Sequence, residues 1–192
     1  LLHMDYSEEQ RMKLQRVNDA LHRIGSLDFE ITELLAAEQP EHYRNKAIYA
    51  VGMAGCSVSK GFYRAGSHDL VPVTHCLLQN ELSDRAAETV CRWMDARHVL
   101  PYDEQSGKGA VRHLFTRVAK NTDDAVLTIV TARGFGAMTD DLVQTLREAC
   151  PELTGIVLCV NKRPGNVILA GDFYTLWGNA ELEDTLCGLR FE

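Results

Sequence analysis

Thiols, imidazoles and glycines are the groups in this sequence best suited to chemistry, and their spacing narrows what that chemistry is. The six cysteines stand at positions 56, 76, 91, 150, 159 and 187, with no C-x-x-C pair, so cysteine-only zinc ligation is not indicated. They read as reduced thiols, because the chain is long enough to build its own core and opens with no export signal. His68, His75 and Cys76 lie around a short strand and could meet at a metal, although such histidines are more often loop and strand-end residues. Gly134-Phe135-Gly136 sits between a strand and a helix, where glycines let backbone approach a pyrophosphate. The third glycine of that fingerprint would fall at Thr139, so a plain strand-to-helix turn is the bland alternative. Gly107-Lys108-Gly109, with Arg112 and His113 behind it, is a basic turn able to present amides and cations to a phosphate, or simply a hairpin entry. G-x-S-x-G, H-E-x-x-H and Walker sequences are absent, and no carboxylate pair has the spacing of an acid and a base.

The elements that must position these groups are legible from periodicity. Ser7 and Gln10 form a plausible capping box, and Leu14, Val17, Leu21 and Ile24 recur at helical spacing until Gly25, predicting an amphipathic helix over residues 7–24. An acidic connector with a short helical turn follows to Gln39-Pro40, and a new unit begins near His42. Runs at 46–53 and 57–63 flank Ala54-Gly55-Cys56 as a hairpin, and 70–73 makes a third strand. Residues 81–97 are helical, with Ala86, Val90 and Trp93 or Met94 on one side and Arg97 and His98 at the negative end of the dipole. A second hairpin joins 109–119 to 125–131 around residues 121–124. Thr139 caps a helix that Pro151 stops. Strands are expected at 155–161 and, after a Pro164-Gly165 turn, at 166–170, with strand-like pieces near 173–177 and 181–191. The predicted class is α+β (mixed α/β): a mainly antiparallel sheet of hairpins packed with two or three helices and preceded by an amphipathic helix.

Composition is that of an ordinary globular protein, 45% apolar and 24% charged, enough for a sizeable core. The longest apolar run, about Ala125 to Ala132, falls far short of the roughly 18 to 20 residues of a membrane-spanning helix, so the expected location is the cytoplasm. The net charge of −7 disfavours a nucleic-acid surface globally, but its distribution is uneven. From His42 to His68 there are Arg44, Lys46, Lys60 and Arg64 and no acid. From Gln105 to Thr122 there are Lys108, Arg112, Arg117 and Lys120 and again no acid. Acids gather at Asp172, Glu181, Glu183, Asp184 and Glu192. Such segregation fits a basic and an acidic face, or two ordinary solvated hairpins.

Three segments together resemble a known family. They are Tyr43-Arg44-Asn45-Lys46-Ala47; Gly61-Phe62-Tyr63 with Ser67-His68 and Cys76-Leu77-Leu78-Gln79; and Ser106-Gly107-Lys108-Gly109 with Arg112-His113-Leu114 and Arg117. In order and spacing they resemble the bacterial RNA uracil-carbon-5 methyltransferases, which modify uridines of 23S ribosomal RNA or the T loop of transfer RNA. The opening Leu2-His3-Met4-Asp5-Tyr6 and Gln10 looks like the same family.

The resemblance implies a parent of three parts: an RNA-binding barrel, a central domain and a Rossmann-like domain that binds S-adenosylmethionine. This chain would be the middle, with residues 1–40 as a helix and connector and 41–192 as the central α/β domain. The start at Leu1 and the stop at Glu192 then read as two cuts. The family's nucleophilic cysteine and its proton-removing carboxylate belong to the third part, so no catalytic residue is expected here and the chain alone should be inactive. Many members hold a [4Fe-4S] cluster through three clustered cysteines and a fourth from the central domain. Cys76 matches the fourth; the other three would precede Leu1. Arg44 and Lys46 are the first candidates for RNA contact, with Lys60, Lys108 and Arg112 behind them, while a salt bridge is the structural alternative for Arg44. Ribosomal or transfer RNA is the expected partner, with no DNA, no membrane and a monomeric state. The competing class is a stand-alone ligand- or protein-binding α/β module without enzymatic activity, which the reading frame around the segment would distinguish.

Overall fold

The computed structural model describes residues 3–122, 124–163 and 167–192. The chain divides into two compact units, Leu1–Glu41 and His42–Glu192.

In the first unit, α1 (Tyr6–Arg23) is capped two residues earlier than the capping-box reading: extended Asp5 is the N-cap, without a side-chain capping bond, and Ser7 lies inside the helix. Glu8 and Glu9 in the first turn and His22 and Arg23 in the last still complement the helix dipole. The connector is extended and lacks the expected helical turn. Buried Asn18 explains why: its side chain donates to the Ile31 carbonyl at 2.9 Å and accepts the Ile31 amide at 2.8 Å, a two-way bond that a helical Ile31 could not supply. Tyr6 Oη accepts the Ala37 amide at 3.0 Å.

The second unit is built on a seven-stranded sheet in the order β3-β2-β1-β4-β5-β6-β7. Its strands are β1 (Lys46–Ala54), β2 (Ser57–Tyr63), β3 (Leu70–Pro72), β4 (Val111–Val118), β5 (Ala125–Thr131), β6 (Gly155–Val160) and β7 (Asp172–Gly178). Every pairing is antiparallel except β5 with β6, which α3 (Thr139–Ala149) connects. All seven residues of β5 are buried, as expected for a strand covered on both faces.

Strand register sorts the side chains into two faces. Tyr49, Leu114, Ile129 and Leu158 form one cross-strand row and belong to the core with Ala86, Val90 and Met94 of α2 (Glu81–Ala96) and Leu142 and Leu146 of α3. Burial of each such large side chain contributes about 1.5–3 kcal/mol. Asn80 caps α2 by accepting the Leu82 amide at 2.9 Å. The positive residue at its far end works differently from expectation: Arg97 is the C-cap and reaches Asp141 of α3, whose Oδ2 also accepts Trp93 Nε1 at 2.7 Å. The opposite face carries Lys46, Ile48 and Ala50 beside Arg117, Phe115 and His113.

Three local expectations change. A 3-10 turn, Gly136–Met138, precedes α3, so Thr139 is inside the helix and its hydroxyl donates to the Gly136 carbonyl. Residues 164–166, with the predicted Pro164-Gly165 turn, lie outside the described residues; residues 167–170 form no strand, and the edge is β7 instead. Residues 181–191 resolve into a hairpin of β8 (Asp184–Leu186) and β9 (Leu189–Phe191). Cys187 and Gly188 turn it, both at positive φ (51° and 78°), the backbone that a tight two-residue hairpin needs.

Candidate nucleic-acid interface

The motif segments that lie far apart in sequence meet around the start of β1. The His42 amide donates to the Leu77 carbonyl at 2.7 Å, and the Arg44 amide to the Leu78 carbonyl at 3.1 Å. His42 Nδ1 lies 2.8 Å from the Gln79 carbonyl. The backbone carrying Arg44 is therefore laced to the segment that follows Cys76. Arg44 and Lys46 are both exposed, and neither forms an ion pair among the described residues. Lys108 is exposed as well.

Lys60 and Arg112 are not surface cations. Lys60 is 1% exposed and its three ammonium protons are used: 2.9 Å to Asp84 Oδ1 and 3.0 Å each to the carbonyls of Val73 and Thr74. Its ammonium also sits 4.6 Å over the Tyr49 ring. Arg112 is the extra residue of a β-bulge between Val111 and His113. The bulge aims its guanidinium at the carbonyls of Asn161 (3.2 Å) and Arg163 (2.9 Å) and at Glu104. Both leave the set of RNA-contact candidates, because each is buried, at 1% and 5% exposure, with its charge directed at internal acceptors.

Asp84 is the hub that the sequence did not announce. It accepts Lys60 Nζ and the Tyr49 hydroxyl at Oδ1 and the Cys76 amide at Oδ2 (2.9 Å). Burial alone would raise its pKa, but the bonds from Lys60, Tyr49 and Cys76 outweigh that and hold the carboxyl below its usual range. The same burial and the Asp84 charge raise the Tyr49 phenol far above its usual value. The consequence is positional: Lys60 and Asp84 clamp residues 73–76 to α2, with Cys76 half-buried at the end of the clamped loop.

All six cysteines are free thiols; Cys91, Cys150 and Cys159 are buried, and burial pushes Cys91 up to about 12. Among the described residues no three His, Cys, Asp or Glu side chains gather as a metal site, so the His68, His75 and Cys76 grouping is not formed; His68 packs its ring against Tyr63 at 5.1 Å. An iron-sulfur cluster, which needs four thiolates, would draw at most one ligand from this region, and Cys76, half-buried on a fixed backbone, fits that single role.

Two glycine turns also find internal explanations. Asp103 Oδ1 accepts the Ser106 amide at 2.7 Å and the Asp103 carbonyl accepts the Gly107 amide at 2.8 Å, while the Lys108 amide lies 3.4 Å from Ser106 Oγ, so the Gly107 and Lys108 amides are engaged within their own loop. Phe135, between the glycines of the other turn, is buried edge-on against Trp93 at 5.4 Å, a packing role.

Arg117, at the end of the third motif segment, completes the exposed basic set. It lies directly across from Lys46 in the β1–β4 register and stacks 5.7 Å over the Phe115 ring. Cross-strand pairing was the signal that could have found it, but pairing is not visible before the topology is known.

No family model matches the chain. Over its whole length it is 36% identical to an uncharacterized RNA methyltransferase of Listeria monocytogenes, 33% to one of Caldanaerobacter subterraneus and 30% to one of Halalkalibacterium halodurans. The chain spans 42% of the length of each of these curated relatives. Its fold matches the crystal structure of Pyrococcus abyssi tRNA (uracil-54, C5)-methyltransferase in complex with S-adenosyl-L-homocysteine, with a TM-score of 0.71 and 20% identity over 95% of this chain and 42% of that one. Among the described residues no helix is long and apolar enough to cross a membrane. Along its full length, then, the chain is similar to a segment of these RNA methyltransferases.

Proposed function

We propose that this chain is the central part of an S-adenosylmethionine-dependent RNA (uracil-5-)-methyltransferase, that it holds ribosomal or transfer RNA through Arg44, Lys46, Arg117 and Lys108, and that it carries out no chemistry itself. The observation that carries this reading is the full-length similarity to RNA methyltransferases. The exposed, acid-free cations at the start of β1 support it, since phosphate contacts need cations without an internal partner. S-adenosylmethionine would supply the methyl group from another part of the longer protein. His42–Glu192 is the folding domain in this proposal, and Cys76 is its one ligand to an iron-sulfur cluster.

The test is methyl transfer from radiolabelled S-adenosylmethionine to ribosomal and transfer RNA by the longer protein that contains this segment. Transfer to carbon 5 of uridine, weakened binding in Arg44→Ala and Lys46→Ala, and silence from the 192-residue chain alone are expected. Turnover by this chain alone would overturn the division of labour. Iron and sulfide analysis of Cys76→Ala in the longer protein tests the cluster: an undiminished iron content removes Cys76 as a ligand.

A further inference from the structure

The sheet face turned away from α2 and α3 holds a groove of about 610 Å³, floored by Phe115, Val126 and Thr128 and walled by the β8–β9 hairpin. This volume lies within the roughly 300–1,000 Å³ of small-ligand sites. The wall is strapped in place rather than leaning there. Asp184 accepts the Lys120 and Asn121 amides at 3.1 Å each, Asn121 Nδ2 donates to the Thr185 carbonyl at 2.6 Å, and the Thr122 hydroxyl donates to the Glu183 carbonyl at 2.6 Å.

The groove's sheet-side rim carries Arg117, with Lys46 directly opposite in register. Two like charges facing each other across strands repel, and no acid pairs with either among the described residues, so an anion at this rim relieves a repulsion that the fold itself maintains. The hairpin side of the lining carries the carboxylates of Glu181, Asp184 and Glu192 and the half-exposed ring of Phe191; Asp184 is already engaged by the Lys120 and Asn121 amides. Arg117, the Phe191 ring and Glu181 thus line one groove, which brings together the groups that a single nucleotide needs: a cation for its phosphate, with Lys46 beside it in register, an aromatic face for its base and a carboxylate to accept a base N–H. A duplex fits it poorly, because its second strand would bring phosphates against Glu181 and Glu192.

We propose that the groove between this sheet face and the C-terminal hairpin receives one unpaired nucleotide of the RNA; the proposal rests on the RNA reading above and adds a single-strand site to it. The test uses the 192-residue chain and a short fluorescein-labelled oligouridylate, read by anisotropy across a salt series, with duplex RNA of the same length as comparison. Arg117→Ala is expected to weaken oligouridylate binding about tenfold and to lower the salt slope by about 1. Phe191→Ala should weaken it about tenfold at an unchanged slope, the mark of lost stacking. Both side chains are exposed, and circular dichroism confirms that the variants fold. In parallel, 4-thiouridine crosslinks should map to residues 115–128 or 180–192. Wild-type affinity in both variants, crosslinks elsewhere, or tighter binding of the duplex would overturn the groove while leaving the methyltransferase reading intact. No binding by the wild-type chain overturns it too, and the methylation assay on the longer protein then shows separately whether the RNA reading stands.

Discussion

At the scale of single residues, the buried Lys60–Asp84 pair has the largest energetic consequence. Removing one partner leaves the other charged inside the protein, so Lys60→Met and Asp84→Leu should each lower the unfolding free energy by about 3–5 kcal/mol, read from urea denaturation. The double replacement should recover most of that loss, because neither charge is then stranded. His113 gives a pH signature. Burial, then the neighbouring Arg112 charge, depress its pKa to about 4 from 6.5, so the unfolded chain binds a proton between those values that the folded chain does not. Stability should therefore fall as pH drops from about 6.5 to about 4, by about 3 kcal/mol for this group, and stay flat in this respect below. His113→Gln, compared by thermal melts at pH 7 and pH 4.5, should flatten that limb of the profile. The burial of Lys60 was in fact legible: Val58, Lys60 and Phe62 share one face of β2 by strand alternation, and Val58 and Phe62 mark that face as the inner one. A lysine in a short strand reads as solvated only when its neighbours two places away are ignored. Arg112 was not legible, since a bulge shifts the alternation and leaves no trace in residue type.

At the scale of elements, α2 and α3 meet through Asp141, which accepts two bonds from the Arg97 guanidinium and one from Trp93. These bonds hold its carboxyl down to about 2. The link therefore survives across the ordinary pH range and is lost only as pH falls from about 4 toward 2. Asp141→Ala should lower the melting temperature by about 5 °C without changing the fold by circular dichroism. The turn before β4 is less forgiving. Gly109 has φ +95°, and a Cβ there would lie 2.0 Å from the Pro101 carbonyl oxygen, so Gly109→Ala should displace the 101–109 loop, visible as amide exchange at Gly107 and Ala110. The β1–β2 hairpin, β4, β5 and both helices of the second unit were readable because β-branched runs and helical spacing report burial directly. The C-terminal hairpin was blurred into one piece, because its turn is Cys-Gly, a pair that carries little signal beside Asn-Gly or Asp-Gly.

At the scale of the whole molecule, the uneven charge decides behaviour more than the net −7 does. With Lys60 and Arg112 internal, the basic surface shrinks to few cations, so under the proposed function RNA affinity should be modest and its salt slope shallow: Arg44→Ala is expected to reduce that slope by about 1. The division at His42 has its own test. Limited proteolysis should cut first within the extended connector, residues 26–41, where side chains are largely exposed, and leave His42–Glu192 as a product that unfolds cooperatively. Segment order and spacing conveyed the resemblance to RNA methyltransferases, but the groove on the far sheet face required the register, since its parts come from Asn45, β4, β5 and residues 180–192.

The Lys60–Asp84 contact also acts as an error check during hairpin formation. A one-residue slip of β2 against β1 would send Lys60 to the opposite face and bring Ser59 or Gly61 beneath α2. Asp84 would then sit in an apolar layer without its cation, and the misaligned state would bear the penalty of an uncompensated charge. An apolar residue at position 60 would pack in either alignment with little to choose between them; the lysine makes one alignment of the hairpin far more favourable than its neighbours.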